Sequence, residues 1–150
     1  MKSLRAMSGP VDSNPAWAAS PPSLFDIVTV YFPESENPDK PGLKLRPGLV
    51  VKVFRGKKTG KFYANIAYGT KQLKIAQRKS RDIIIQNAYH LTQLGLYRAT
   101  RFDLDHVATE LPWNNEFFGT WGGHKTPTIG SLTENYIQQY AYRMMKRGLV

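Results

Sequence analysis

The sequence predicts a mainly β fold with a C-terminal helix (α+β), its strands joined as a small antiparallel barrel. Three observations predict it. Residues 25–32, 45–54 and 61–68 are runs rich in β-branched and aromatic residues, separated by Pro- and Gly-containing turn signals. Residues 131–147 carry apolar side chains at helical spacing behind Ser131-Leu132-Thr133-Glu134, a capping-box sequence. With 150 residues and no cysteine, the chain is long enough to bury a core without disulfide staples.

Residues 1–22 hold Pro10, Pro15, Pro21 and Pro22 among Ser, Ala and Gly, with no periodic apolar pattern. They are expected to form a flexible N-terminal arm, leaving residues 23–150 as the folded domain. Strand one, residues 25–32, leads into a loop over 33–42 that ends in Pro41-Gly42. Strand two runs over 45–54, and its centre, Leu49-Val50-Val51, reads as buried on both faces. It opens with Arg46-Pro47, where a proline is tolerated because the first residues of a strand can spare an N–H. Arg46 therefore sits at a strand mouth, free to face solvent or substrate.

Gly56-Lys57-Lys58-Thr59-Gly60 reads as a hairpin loop into strand three, residues 61–68, with Phe62, Ala64, Ile66 and Tyr68 on one face. Barrel closure would remove the exposed edges of this meander. Residues 71–81 form a polar, basic connection, 82–85 a short strand, 88–94 a further strand, and 95–104 a late barrel strand. Residues 111–127 read as an ordered loop anchored by Trp113, Phe117, Phe118 and Trp121. The terminal helix, over about 131–147, ends with Lys146 and Arg147 at the negative end of its dipole and Gly148 as a stop. It should pack across the barrel.

The formal net charge is +10, and it is unevenly placed. Residues 44–79 contain eleven Lys and Arg and no Asp or Glu. A polyanion is the natural partner of such a stretch, since each neutralised phosphate releases condensed counterions; the plainer alternative is a solvated, solubilising surface. The cations punctuate strands and turns instead of lining an amphipathic helix, which argues against a lipid surface. No apolar run reaches the roughly 20 residues of a membrane span, and no apolar stretch follows Met1-Lys2-Ser3-Leu4-Arg5, so a cytoplasmic protein without a signal peptide is expected. Asp103, Asp105 and Glu110 look scattered and no His-x-x-x-His occurs, so neither metal nor cofactor is expected. His90, His106 and His124 show no dyad spacing and read as ordinary surface or half-buried residues.

Asp26-Ile27-Val28 with the following Phe32-Pro33, and then Lys44-Leu45-Arg46-Pro47-Gly48-Leu49-Val50-Val51, resemble the PemK/MazF family of toxins, small SH3-like barrels that cut RNA. The resemblance spans roughly residues 24–105 and the terminal helix. It implies Arg46 as a catalytic residue and Thr70, after Asn65-Ile66-Ala67-Tyr68-Gly69, as its partner. It also implies Arg98 in the late strand, with Thr100 standing where some members carry an acid. Lys44, Lys71, Lys74, Arg98 and Thr100 are the expected substrate-binding residues. The resemblance further implies a homodimer, a cognate antitoxin whose disordered tail occupies the RNA site, and single-stranded RNA as substrate. Poisoning of topoisomerases also occurs on this fold.

The chemistry fits those residue types. Metal-free RNA scission needs the 2′-OH deprotonated, the phosphate charge stabilised and the 5′-oxygen protonated. A guanidinium grips two phosphate oxygens in a planar fork, and a threonine hydroxyl adds one hydrogen bond. The structural alternatives are an ion pair of Arg46 with Glu34 and a turn role for Thr70. Tyr63, Tyr68 and Trp121 are candidates for stacking an unpaired base, whereas Phe25, Tyr31, Phe32, Phe54 and Phe62 read as core. A non-catalytic SH3-like module that binds nucleic acid or protein is the competing function.

Overall fold

The computed structural model describes residues 14–148. Six strands, β1 (Asp26–Tyr31), β2 (Leu45–Arg55), β3 (Phe62–Thr70), β4 (Ile83–Ile85), β5 (Thr100–Pro112) and β6 (Thr128–Ser131), form one antiparallel sheet in the order β4-β5-β3-β2-β1-β6. Register shifts interrupt the β2–β3 ladder between Val50 and Lys52 and the β3–β5 ladder at two places. Such bulges bend a strand and raise its twist, and the sheet curls into a half-barrel. The helices are α1 (Ile75–Arg78), α2 (Ala88–Gln93) and α3 (Glu134–Lys146).

The sheet is apolar on both faces because alternate residues of the same strand serve different cores. Ile27, Leu49, Ala67 and Phe102 join Leu94, Leu96, Tyr136 and Met144 in one cluster, against which α2 and α3 pack. Val28, Val30, Val50 and Ile66 join Trp113, Phe117 and Phe118 in the other. The near-continuous apolar run of β2 follows from this double burial.

Residues 113–127 complete the second core and also serve the sheet edge. Tyr31 N–H donates to the Phe117 carbonyl at 2.7 Å, and Val30 bridges Phe118. The Thr29 hydroxyl, fully buried, donates to the Gly119 carbonyl. Trp113, Phe117 and Phe118 are buried, and Trp121 packs partly against the first core, as the aromatic pattern implied.

Four expectations are corrected. Residues 88–94 are not a strand: Asn87 caps α2, its Oδ1 accepting from Tyr89 N at 2.9 Å and His90 N at 3.2 Å. The six-residue helix is too short to show a periodic face. Residues 95–99 do not extend the late strand, because Gly95 turns at φ 74° where an added Cβ would lie 2.1 Å from the Ile129 carbonyl oxygen. The capping box does not form. Ser131 belongs to β6, opposite Asp26, and its hydroxyl donates to the Asp26 carboxylate at 2.6 Å; α3 begins after Thr133, which makes no side-chain cap. Gly148, at φ 73°, does terminate the helix.

The fourth correction concerns the N-terminal arm, whose residues 1–13 lie outside the described residues. Residues 14–22 are held down. Ala16–Ala19 is a 3-10 turn, and Trp17 meets Trp113 edge-on at 4.9 Å. The Trp113 indole N–H donates to the Ser20 carbonyl at 2.8 Å. A single aromatic anchors a segment that shows no repeating pattern.

Candidate functional site

The two strands that carry Arg46 and Thr70 run side by side at their mouths. Gly48 pairs with Tyr68, and the backbones close in at Gly69, where an added Cβ would lie 2.2 Å from the Pro47 carbonyl oxygen. Only glycine permits that approach. It brings Thr70 beside the Arg46-Pro47 step.

There a cleft of about 270 Å³ is lined by Arg46, Thr70, Lys71, Arg98, Thr100, Tyr97 and Trp121, among others. A second, of about 390 Å³, shares Arg46, Thr70 and Lys71 and adds Lys44, Lys74, Tyr68, Arg101, Asp103 and His106. All seven residues singled out in the sequence thus line two adjoining clefts, from segments up to 56 positions apart in sequence (44 to 100). Arg46 also borders a third hollow with Glu34, Glu36, Tyr68 and His106.

Arg46 is half-buried and forms no ion pair among the described residues, so the alternative pairing with Glu34 is not made. Its guanidinium carbon lies 5.8 Å from the centroid of the Tyr68 ring, a cation–π distance. The Thr70 hydroxyl accepts from Gln72 N at 3.1 Å, the turn role anticipated for it, and its own proton stays free to donate. Lys44, Lys71, Lys74 and Arg98 are exposed. Thr100 is 3% exposed and donates its hydroxyl to the Arg98 carbonyl at 2.8 Å, so it shapes the turn that carries Arg98.

Behind the clefts lies an ionic cluster that the sequence order concealed. Carboxylate oxygens of Asp82, Asp103 and Asp105 gather within 4.8 Å of one another, which corrects the expectation that acids are scattered. Guanidiniums meet them on every side. Arg78 reaches Asp82 at 2.8 Å, Asp103 at 3.0 Å and Asp105 at 2.7 Å, while Arg147 reaches Asp105 at 2.9 Å. Burial alone pushes the Asp82 carboxyl up, but hydrogen bonds from Arg78, Arg101 and the Leu104 N–H outweigh it and hold the group low. The Arg147 hydrogen bond, with Arg78 and Arg81, keeps Asp105 well below the usual carboxylate range against partial desolvation. With arginines already matching these charges, the cluster is a structural brace.

The brace consumes one of the eleven cations of residues 44–79, Arg78, and leaves those at the clefts without an ion pair among the described residues. Asp103, the acid lining the second cleft, is engaged by Arg78 and by Arg101 at 3.3 Å.

Sequence reasoning missed His106. Its ring stacks on Tyr68 at 4.7 Å and 29°, and it is exposed in the second cleft with Arg46 and Thr70. No spacing along the chain signals this, because a register shift between Ala67 and Tyr68 in the β3–β5 ladder decides which β5 residues flank Tyr68. His90 differs: its Nδ1 lies 2.7 Å from the Tyr136 hydroxyl, bridging α2 to α3. Of the proposed stacking residues, Tyr63 stacks on Phe54 at 5.7 Å near the β2–β3 hairpin and lines neither cleft.

Neither a family model nor a curated protein matches the chain.

Proposed function

We propose that this chain is a toxin-type endoribonuclease with an SH3-like barrel of the PemK/MazF kind, cutting single-stranded RNA by metal-independent attack of a 2′-OH. The observation that carries this reading is the unpaired Arg46 beside Thr70 in a cleft walled by lysines and Arg98. Anionic phosphate suits that wall, and the guanidinium fork matches two of its oxygens.

In this reading the 2′-oxygen attacks the adjacent phosphorus and the bond to the 5′-oxygen breaks. The products are a 2′,3′-cyclic phosphate and a 5′-hydroxyl end. Arg46 stabilises the charge that grows on the non-bridging oxygens, and the Thr70 proton adds a hydrogen bond there. Proton transfer falls to His106, the imidazole of the same cleft. The protein acts in the cytoplasm as a homodimer, and its antitoxin covers the basic cleft. No helix among the described residues is long and apolar enough to cross a membrane.

One observation favours the competing reading, a non-catalytic RNA-binding module. Thr100 stands where an acid is implied by the resemblance, and its hydroxyl is already donated to the Arg98 carbonyl. A single experiment separates the two. Incubation of a long single-stranded RNA with the protein in EDTA, with mapping of the ends, gives cyclic-phosphate fragments from the nuclease and intact bound RNA from the module.

A further inference from the structure

At the mouth of the smaller cleft, Tyr97 and Trp121 lie against each other, ring centroids 4.9 Å apart and planes 32° from parallel. They come from different parts of the chain, the turn before β5 and the 113–127 segment, and both line the cleft that holds Arg46 and Thr70. Tyr97 is 70% exposed, an unusual state for a large ring already paired on one face. Its outer face is open to solvent beside Lys71 and Arg98.

We propose that the Tyr97–Trp121 pair is the subsite for an unpaired nucleobase next to the phosphate held by Arg46. This rests on the RNA reading above and adds to it which part of the substrate is recognised, and where. One property of the place points to a nucleobase, and two consequences follow from it. An exposed ring adjoining cations fits a ligand that is flat and apolar on its faces and joined to an anion, as a nucleotide is. A base still in a duplex has both faces covered by its neighbours, so only single-stranded RNA can extend the ring stack. Stacking on a ring is tolerant of base identity, so this subsite contributes affinity and position more than sequence choice. A base held here fixes the backbone beside it, which places the adjoining phosphate against Arg46 and Thr70.

The test reads binding, so it does not depend on cleavage. Of the three tryptophans, Trp113 is buried and Trp17 packs against it in the second core, leaving Trp121 as the reporter at the cleft. A short 2′-O-methyl oligoribonucleotide, which cannot be cut at its own 2′-oxygens, is titrated while tryptophan emission is followed. The same backbone with abasic sugars serves as the comparison. The proposal expects quenching by the base-bearing oligonucleotide alone, loss of that signal in Trp121→Phe, and about 5- to 150-fold weaker binding in Tyr97→Ala. Tyr97 is exposed enough that its truncation leaves the core untouched. Equal affinity and equal quenching with the abasic strand, or wild-type affinity in Tyr97→Ala, overturns the subsite while the phosphate-gripping site stands. Failure of both oligonucleotides to bind at low salt overturns the subsite and the RNA reading together.

Discussion

The guanidinium of Arg101 lies 2.7 Å from a carboxylate oxygen of Asp82, and the two side chains are 5% and 0% exposed. The same guanidinium donates through Nε to the Gln72 carbonyl at 2.9 Å, and Gln72 N donates to the Thr70 hydroxyl. A buried ion pair is thereby connected, in two hydrogen bonds, to the floor of the candidate site. The brace sets where the strand end holding Thr70 sits, and the cleft inherits its rigidity.

Asp82→Ala should therefore destabilise the fold by about 3–5 kcal/mol, since the buried Arg101 charge loses its shorter ion pair and keeps only Asp103 at 3.3 Å, while the buried Leu104 N–H loses its acceptor. Urea denaturation checks this. A loss below about 1 kcal/mol would show that Asp103 or water takes over the Arg101 charge.

The same cluster sets the acid limit. Asp82 and Asp105 have carboxyls held below their ordinary values in the folded chain. A depressed folded pKa contributes stability that is complete above the unfolded pKa of about 4 and is lost as pH falls through the folded value. Denaturation midpoints should be level from neutrality to about pH 5 and fall steeply below pH 4. Asp105→Asn should flatten that fall.

Arg46→Ala should lower the cleavage rate by about 10²–10³ with circular dichroism and melting unchanged, because a preorganised donor to the phosphate is lost. Arg46→Lys should also be impaired, since an ammonium cannot form the planar fork. Thr70→Ala should cost less, removing one neutral hydrogen bond. Wild-type cutting by Arg46→Ala would end the mechanism.

RNA binding should be strongly salt-dependent. If the five cleft cations that make no ion pair among the described residues, Lys44, Arg46, Lys71, Lys74 and Arg98, meet roughly five phosphates, a threefold rise in salt should weaken single-strand binding about 50-fold. A titration whose affinity is flat against salt would exclude a phosphate-led interface.

A chain beginning at Ser23 should melt roughly 5–15 °C lower than one that retains residues 14–22. It loses the Trp17–Trp113 edge contact, and the Trp113 indole N–H loses its acceptors at Trp17 and Ser20. Together these correspond to about 2–4 kcal/mol. An unchanged melting temperature would mean that Trp113 finds water in place of those carbonyls.

The sequence by itself determined the parts whose pattern is local. The first three strands were legible because β-branched runs end at strong turn signals, and the axis of α3 because Tyr136, Tyr140 and Met144 recur at its period. Arg46 and the basic bias of residues 44–79 were likewise visible, since a proline at a strand mouth and an absence of acids are properties of adjacent residues. Tertiary structure alone decided the rest. Ser131 could cap a helix or close a strand against Asp26, and pairing with β1 chose the strand. Thr128–Ser131 and Ala88–Gln93 are too short to carry a period, so packing on β1 and the Asn87 cap decide their form. Asp82, Asp103 and Asp105 look scattered in sequence because a carboxylate's partner is chosen by distance in space, and the β4–β5 pairing brings them to Arg78 and Arg101. His106 and Tyr97 reach the cleft for the same reason: strand register and a glycine turn, neither written in their own neighbourhoods, determine which way the chain presents them.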